Sequence, residues 1–379
     1  MNKASVLRAL ALATLLLAAC GSSPETGGSG GSGGAPVVLV TPTPAPEGSP
    51  WPTLEEWHLF ADARAQTPAD RVIPYDVNAP LFSDYTSKHR FLWLPKDTKI
   101  GWHDTERWNF PVGTILIKTF AYPIDARSPA KGQRLLETRL MVHESGAAGW
   151  VSHTYEWDAE QTTATRKVAG DTIDVTWIDE AGKQQQNAYE VPNTNMCQEC
   201  HGETGKTSSL AGRTRQWNRD HDYGKGPENQ IDHLAALGLL DAAPPAVAQR
   251  QTLIDPFGAG DAGERGRAYL DANCSHCHGV VGLAKGTALR LDYDHTDLVK
   301  SDPTDYGVCK APASSGADGT CGLGFDVVPG HSEQSILVCR TDSLAPKVTM
   351  PPVGRKLIHA EGVAVLKAWI DAMPEHLCQ

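Results

Sequence analysis

Between Arg90 and about Val191 the chain reads with a period of two. Ile173, Val175 and Trp177 alternate with Thr172, Asp174 and Thr176, and Leu136, Thr138, Leu140 and Val142 repeat the pattern, as do Val151, His153, Tyr155 and Trp157. Residues 113–122 form a continuous β-rich run. Alternation sends successive side chains to opposite faces of a strand, so this region predicts a mostly antiparallel sandwich or half-barrel. Elsewhere the spacing is helical. Residues 54–65 (Leu54, Trp57, Ala61) predict a short helix, as do residues 228–240, the stretch from Gly260-Asp261 through Gly266, Tyr269 and Leu270, and residues 360–373 with Val363, Leu366, Trp369 and Ile370 on one face. Residues 72–85, with several prolines and turn formers and little periodicity, predict an ordered loop.

The amino-terminal pattern is of another kind. Lys3 and Arg8 precede the apolar run 9–17, which Leu17-Ala18-Ala19-Cys20 closes. The run is too short to span a bilayer and predicts a secretory leader, residues 1–19. Its last four residues resemble the lipobox of bacterial lipoproteins. That resemblance implies a lipid on Cys20 and places the protein at the periplasmic face of a bacterial membrane, as an outer-membrane lipoprotein. An ordinary small-residue cleavage site is the simpler alternative. Residues 20–50 are rich in Gly, Ser and Pro and read as a tether, about 30 Å in reach.

Charge and aromatic content narrow the function classes. The net charge is −11, and removal of Lys3 and Arg8 with the leader makes it more negative. Such a surface argues against nucleic acid and suits a basic redox partner, although acidic surfaces also simply keep proteins soluble. Trp93, Trp102, Trp108, Trp150, Trp157 and Trp177 fall in the alternating region, where a heavy core accounts for them better than a carbohydrate platform does. His103, His143 and His153 there have no metal-ligand spacing to one another.

Chemistry concentrates in two Cys-x-x-Cys-His units, Cys197-Gln198-Glu199-Cys200-His201 and Cys274-Ser275-His276-Cys277-His278. Two thiols one helical turn apart can add to the two vinyl groups of a haem, and the next histidine then reaches the iron as its proximal ligand. The motifs therefore predict two covalently bound haem c groups. A zinc site built from both pairs is the competing reading, and a thioredoxin-like pair a weaker one, since no βαβ pattern surrounds either motif. Met350, 72 residues after His278 and followed by two prolines that hold the chain extended, is the expected distal ligand of the second iron. For the first iron no methionine lies between Met196 and Met350, so His221 and His233 are the local candidates, beside an open position or a ligand from the sheet. Arg340 is a candidate partner for a haem propionate. Cys309, Cys321, Cys339 and Cys378 remain for disulfides; three connectivities are possible, and Cys309 with Cys321 and Cys339 with Cys378 is the one preferred.

The helix carrying Gly266, Tyr269 and Leu270 and the closing helix with Trp369 resemble the paired terminal helices of class I cytochrome c. The stretch 73–84, Phe110-Pro111-Val112-Gly113-Thr114, Glu137-Thr138-Arg139-Leu140, Arg213-Thr214-Arg215-Gln216, Asn218-Arg219-Asp220 and both haem motifs together resemble a bacterial family of exported two-haem c-type cytochromes, over roughly residues 50–379. Relatives of that family occur joined to, or encoded beside, dehydrogenases that use pyrroloquinoline quinone (PQQ) on sugars, which implies an electron-accepting role. The expected architecture is multidomain: an antiparallel β-sandwich-like domain (51–195), then mostly α-helical cytochrome c haem modules at 196–250 and 251–379.

Three functions compete on this reading. The first is electron transfer between a periplasmic dehydrogenase, PQQ-dependent or quinol-linked, and a terminal acceptor, with no substrate turnover. The second is a two-haem peroxidase-like enzyme with an open first haem. The third makes the β domain a carbohydrate-binding part coupled to haem redox modules, which requires exposed tryptophans.

Overall fold

A computed structural model describes residues 40–146, 149–203, 206–313 and 316–378. The expected leader, Cys20 and the expected tether through residue 39 lie outside the described residues. The alternating segment forms a six-stranded antiparallel sheet, and three of its strands, at 115–123, 133–143 and 150–157, are ones that the sequence pattern marks. Two short strands come first, β1 (Phe60–Asp62) and β2 (Thr67–Pro68). The sheet follows: β3 (Ile73–Pro74), β4 (Ser87–Trp93), β5 (Ile115–Pro123), β6 (Gln133–His143), β7 (Trp150–Trp157) and β8 (Ala164–Lys167), each beside its neighbour in sequence. β9 (Asp171–Ile178) and β10 (Gln184–Val191) pair as a separate hairpin.

Strand register sorts the side chains onto two faces. On one face Phe91, Ile117 and Leu140 align with Trp57, Leu59, Tyr155 and Trp157 in a core that the segment 40–72 covers. On the other face Leu92, Leu116 and Met141 meet Trp108, Phe110, Trp217 and Ile231, which come from segments far away in sequence. The predicted helix at 54–65 is only a single turn at Glu55–Trp57, and the chain then extends into β1. Residues 72–85 are irregular apart from the two residues of β3, as expected of an ordered loop.

The expected mostly α-helical cytochrome c modules are not what the chain forms, and the fold as a whole is mostly β. Helices α1 (Thr194–His201), α2 (Thr214–Trp217), α3 (Gln230–Ala236), α4 (Ala262–Asn273), α5 (Gly316–Gly319), α6 (Ile336–Thr341) and α7 (Ala360–Asp371) are short, and α4 and α7 are the longest at 12 residues each. Irregular chain and two small antiparallel hairpins, β11 (Gly202–Glu203) with β12 (Lys206–Thr207) and β13 (Asp220–Asp222) with β14 (Pro227–Asn229), occupy much of the rest. The physical reason is local. Gly224 and Gly226 take positive φ angles of 87° and 97°, which reverse the chain between β13 and β14 where a helix cannot continue. The β-rich and cysteine-bearing segments belong to one compact unit.

Within that unit α4 and α7 cross at reciprocal glycine-aromatic contacts. A Cβ at Gly266 would collide with the Trp369 indole, and one at Gly362 with the Tyr269 ring, so both close approaches require glycine. Two disulfides tie down the surrounding chain, with a pairing other than the one preferred from sequence: Cys309–Cys378 and Cys321–Cys339. The reason is spatial. Cys309, on the edge of the α4-α7 core, lies 5.6 Å in Cα from Cys378, while Cys339 on α6 faces Cys321 at 6.6 Å.

Candidate functional site: two adjoining cysteine-histidine centres

The first centre is carried by α1, which only two residues separate from the end of β10. The Asn193 side chain caps it by accepting from the Met196 amide at 2.9 Å, so the sheet delivers the chain directly into the motif. The helix sets Cys197 and Cys200 one turn apart, and His201 is its last residue. The imidazole Nδ1 donates to the Ser208 carbonyl at 3.0 Å, which leaves Nε2 free of a proton and able to bind a metal. Burial pushes the His201 imidazole down to about 4, so it is neutral at ordinary pH. The Glu203 carboxylate, bonded to Arg107 and to Ser208 Oγ, steadies the hairpin that holds Ser208.

The second centre follows α4, whose N-cap Asp261 accepts from the amides of Gly263 and Glu264. Its motif is a turn beyond the helix end: the amides of Cys277 and His278 both donate to the Cys274 carbonyl, at 3.1 and 2.9 Å. Burial, followed by the Arg340 charge, lowers His278 to about 4. The Met350 amide donates to the Arg340 carbonyl at 2.9 Å, Arg340 Nε donates to the Val348 carbonyl, and Arg355 Nη2 donates to Ser343 O and Thr349 Oγ1. Two arginines thus strap the loop that carries Met350.

Each centre opens into a cavity. The first, about 250 Å³, is bounded by α1, by the sheet face that bears Lys118, Arg139 and Met141, and by Trp217. The second, about 300 Å³, is lined by Cys274, Cys277, His278, Leu291, Met350 and Arg340. Cys200 and His276 line both cavities. Cys277 Sγ lies 3.2 Å from the Glu199 carbonyl, so the two motifs touch. A hydrogen bond between the Cys200 and Cys277 side chains lowers the Cys200 thiol and raises that of Cys277. The loop 72–85 locks this junction: the Phe82 amide donates to Asn273 Oδ1, and the Asp84 carboxylate accepts from the amides of Lys356 and Leu357.

The structure brings His278 and Met350 to one cavity and places His201 at the other. It does not bring His221 or His233 there. Tyr223 stacks on His233 and packs beside His221, and Glu228 bonds to His233 on the outer side of α3, so neither imidazole lines the first cavity. Sequence reasoning also missed Lys118, Arg139 and Met141. The available signal was Lys118 itself, a charge inside the otherwise apolar opening of β5, Ile115-Leu116-Ile117-Lys118.

The donor set fits a covalent haem at each centre. Cys197, Cys200, Cys274 and Cys277 are free thiols while the remaining four described cysteines are paired, and each Cys pair has a half-buried neutral imidazole against an adjoining cavity. Among the described residues no group of three or more His, Cys, Asp or Glu side chains is placed to hold one metal ion, as a zinc site built from both pairs would need. No family model, curated protein or solved structure matches the chain.

Proposed function

We propose that this chain is an exported two-haem c-type cytochrome that carries electrons between a dehydrogenase, PQQ-dependent or quinol-linked, and a terminal acceptor. The observation that carries this reading is the contact between the two motifs, Cys277 Sγ against the Glu199 carbonyl, with Cys200 and His276 shared by both cavities. Haem c at each centre supplies a one-electron iron couple. The chain's residues do the rest. Cys197 with Cys200 and Cys274 with Cys277 hold the two groups, Ser208 aims His201, and the Arg340-Arg355 strap holds Met350 in the cavity of His278. A thioether opposite an imidazole favours reduced iron and raises the potential. Two disulfides suit the oxidising compartment that the leader and Cys20 imply. No described helix is long and apolar enough to cross a membrane, and the proposed attachment is through the lipid on Cys20.

Five of the six tryptophans of the alternating region, Trp93, Trp108, Trp150, Trp157 and Trp177, are buried and Trp102 is half-buried, which leaves the carbohydrate reading little of the exposed aromatic surface it requires. The deciding experiment is the mass of the purified chain together with its absorption and magnetic circular dichroism spectra, with and without carbon monoxide. The proposal expects two haems per chain, both low-spin and indifferent to carbon monoxide. One high-spin haem that binds carbon monoxide would replace electron transfer with the peroxidase-like reading. A chain of unmodified mass would overturn both.

A further inference from the structure

We infer that the sheet is itself part of the first haem site, with Lys118 and Arg213 receiving the carboxylates of the group held by Cys197 and Cys200. This rests on the two-haem reading above. The reason lies in strand register: Arg90 on β4, Lys118 on β5 and Arg139 on β6 are direct cross-strand partners, forming a row of three cations on one face. Like charges directly opposite one another destabilise a sheet, and a charge shut away from water costs more still unless it is paired. Two of the three are neutralised within the chain, Arg90 by Asp76 at 2.7 Å and Arg139 by Glu137.

Lys118 is not neutralised. Among the described residues its ammonium makes no hydrogen bond and no ion pair, and it lies over the Phe120 ring, 4.8 Å from the centroid. The acids that line the same cavity are already engaged: Asp84 by the amides of Lys356 and Leu357, Asp271 by Arg215, and Glu190 by Lys356. Arg213, across the cavity on the segment before α2, likewise has no side-chain hydrogen bond or ion pair. Two unpaired cations thus face one cavity beside a haem motif. A ligand with two carboxylates on an apolar body answers both charges and the Leu116, Phe120 and Trp217 lining, and haem is such a ligand.

The test uses the intact holoprotein, after its mass has shown two haems. In a spectroelectrochemical titration, the one-electron wave that Met350→Ala displaces belongs to the second centre, and the other belongs to the first. Lys118→Gln is expected to lower the first wave by about tenfold in the oxidised-to-reduced ratio, or 59 mV for one electron, because a positive charge beside the group favours the reduced form. Lys118→Arg is expected to restore it, Arg213→Gln to lower it less, and none of the three to alter the near-infrared ligand bands. An unchanged first wave in both Gln variants would overturn the inference. Loss of a ligand band in both Lys118 variants would also overturn it, since the amine would then be bound to iron. If Lys118→Gln fails to fold, Arg213→Gln and Lys118→Arg carry the same two criteria.

Discussion

The two centres share a motif and differ in how the rest of each is made. The second cavity draws most of its walls from residues 269–363, so its cysteines, His278, Met350 and the arginines that strap the methionine loop are neighbours along the chain as well as in space. The first takes only its motif from α1; its other walls come from the sheet, the loop 72–85, the end of β10, the segment 210–217, the end of α4 with the second motif, and residues 351–354. A centre built locally shows its candidate ligands in its spacing. One completed by distant strands shows a cation in an apolar run and little else. The difference also separates their polarity: the first is faced by Arg90, Arg107, Lys118, Arg139 and Arg213, whereas the second has Arg340 and Arg355, both turned to backbone carbonyls of the methionine loop.

The comparison can be sharpened by loosening one region at a time. The largest effect is expected from the disulfides, which lie only in the second region. Replacing Cys309 and Cys378 by Ser opens a loop of 69 residues and should cost about 4 kcal/mol, and replacing Cys321 and Cys339, 18 residues apart, about 3 kcal/mol. Denaturant unfolding measures both, and non-reducing peptide mapping checks the pairing. Equal losses, or mapped Cys309–Cys321 peptides, would contradict this connectivity.

Next comes the helix crossing. Gly266→Ala pushes a methyl group into the Trp369 ring and should cost about 2 kcal/mol, with larger disturbance of the Met350 ligand band than of the first centre. Equal disturbance at both centres would mean that the two regions do not differ in the way their construction implies.

At neutral pH the smallest effect concerns the sheet face turned away from the cavities, because it develops only as pH falls. Burial lowers His153 to about 4, against about 6.5 in the unfolded chain. The unfolded state therefore binds the extra proton between those values. The stabilisation is complete above pH 6.5 and is lost as pH falls toward 4, with a slope of at most about 1.4 kcal/mol per pH unit. His153→Gln should flatten that part of the stability profile without moving either redox wave. A shifted first wave would show that the two sheet faces are electrically coupled.

Much of this arrangement was legible before any coordinates. The period of two marks β6, β7 and β9, a continuous β-rich run marks β5, Asp261 marks the start of α4, and Gly266 with Trp369 marks a close helix contact. His221 and His233 were reasonable candidates by proximity in sequence, yet the β13-β14 turn packs both around Tyr223. The disulfide pairing was hidden for a related reason: it depends on where α6 and the chain end dock.

What the sequence determined by itself is therefore the local chemistry: thiols one turn apart, a histidine after each pair, and a methionine before two prolines. Bond lengths and helical pitch enforce such relations over a few residues. Only the tertiary structure decided that the two motifs touch through Glu199 and Cys277, that a row of strand cations faces the first of them, and which cysteines pair. Those contacts join residues up to about a hundred positions apart. No periodicity links such residues, and they are selected by the joint packing of the sheet, the loop 72–85 and the crossed helices.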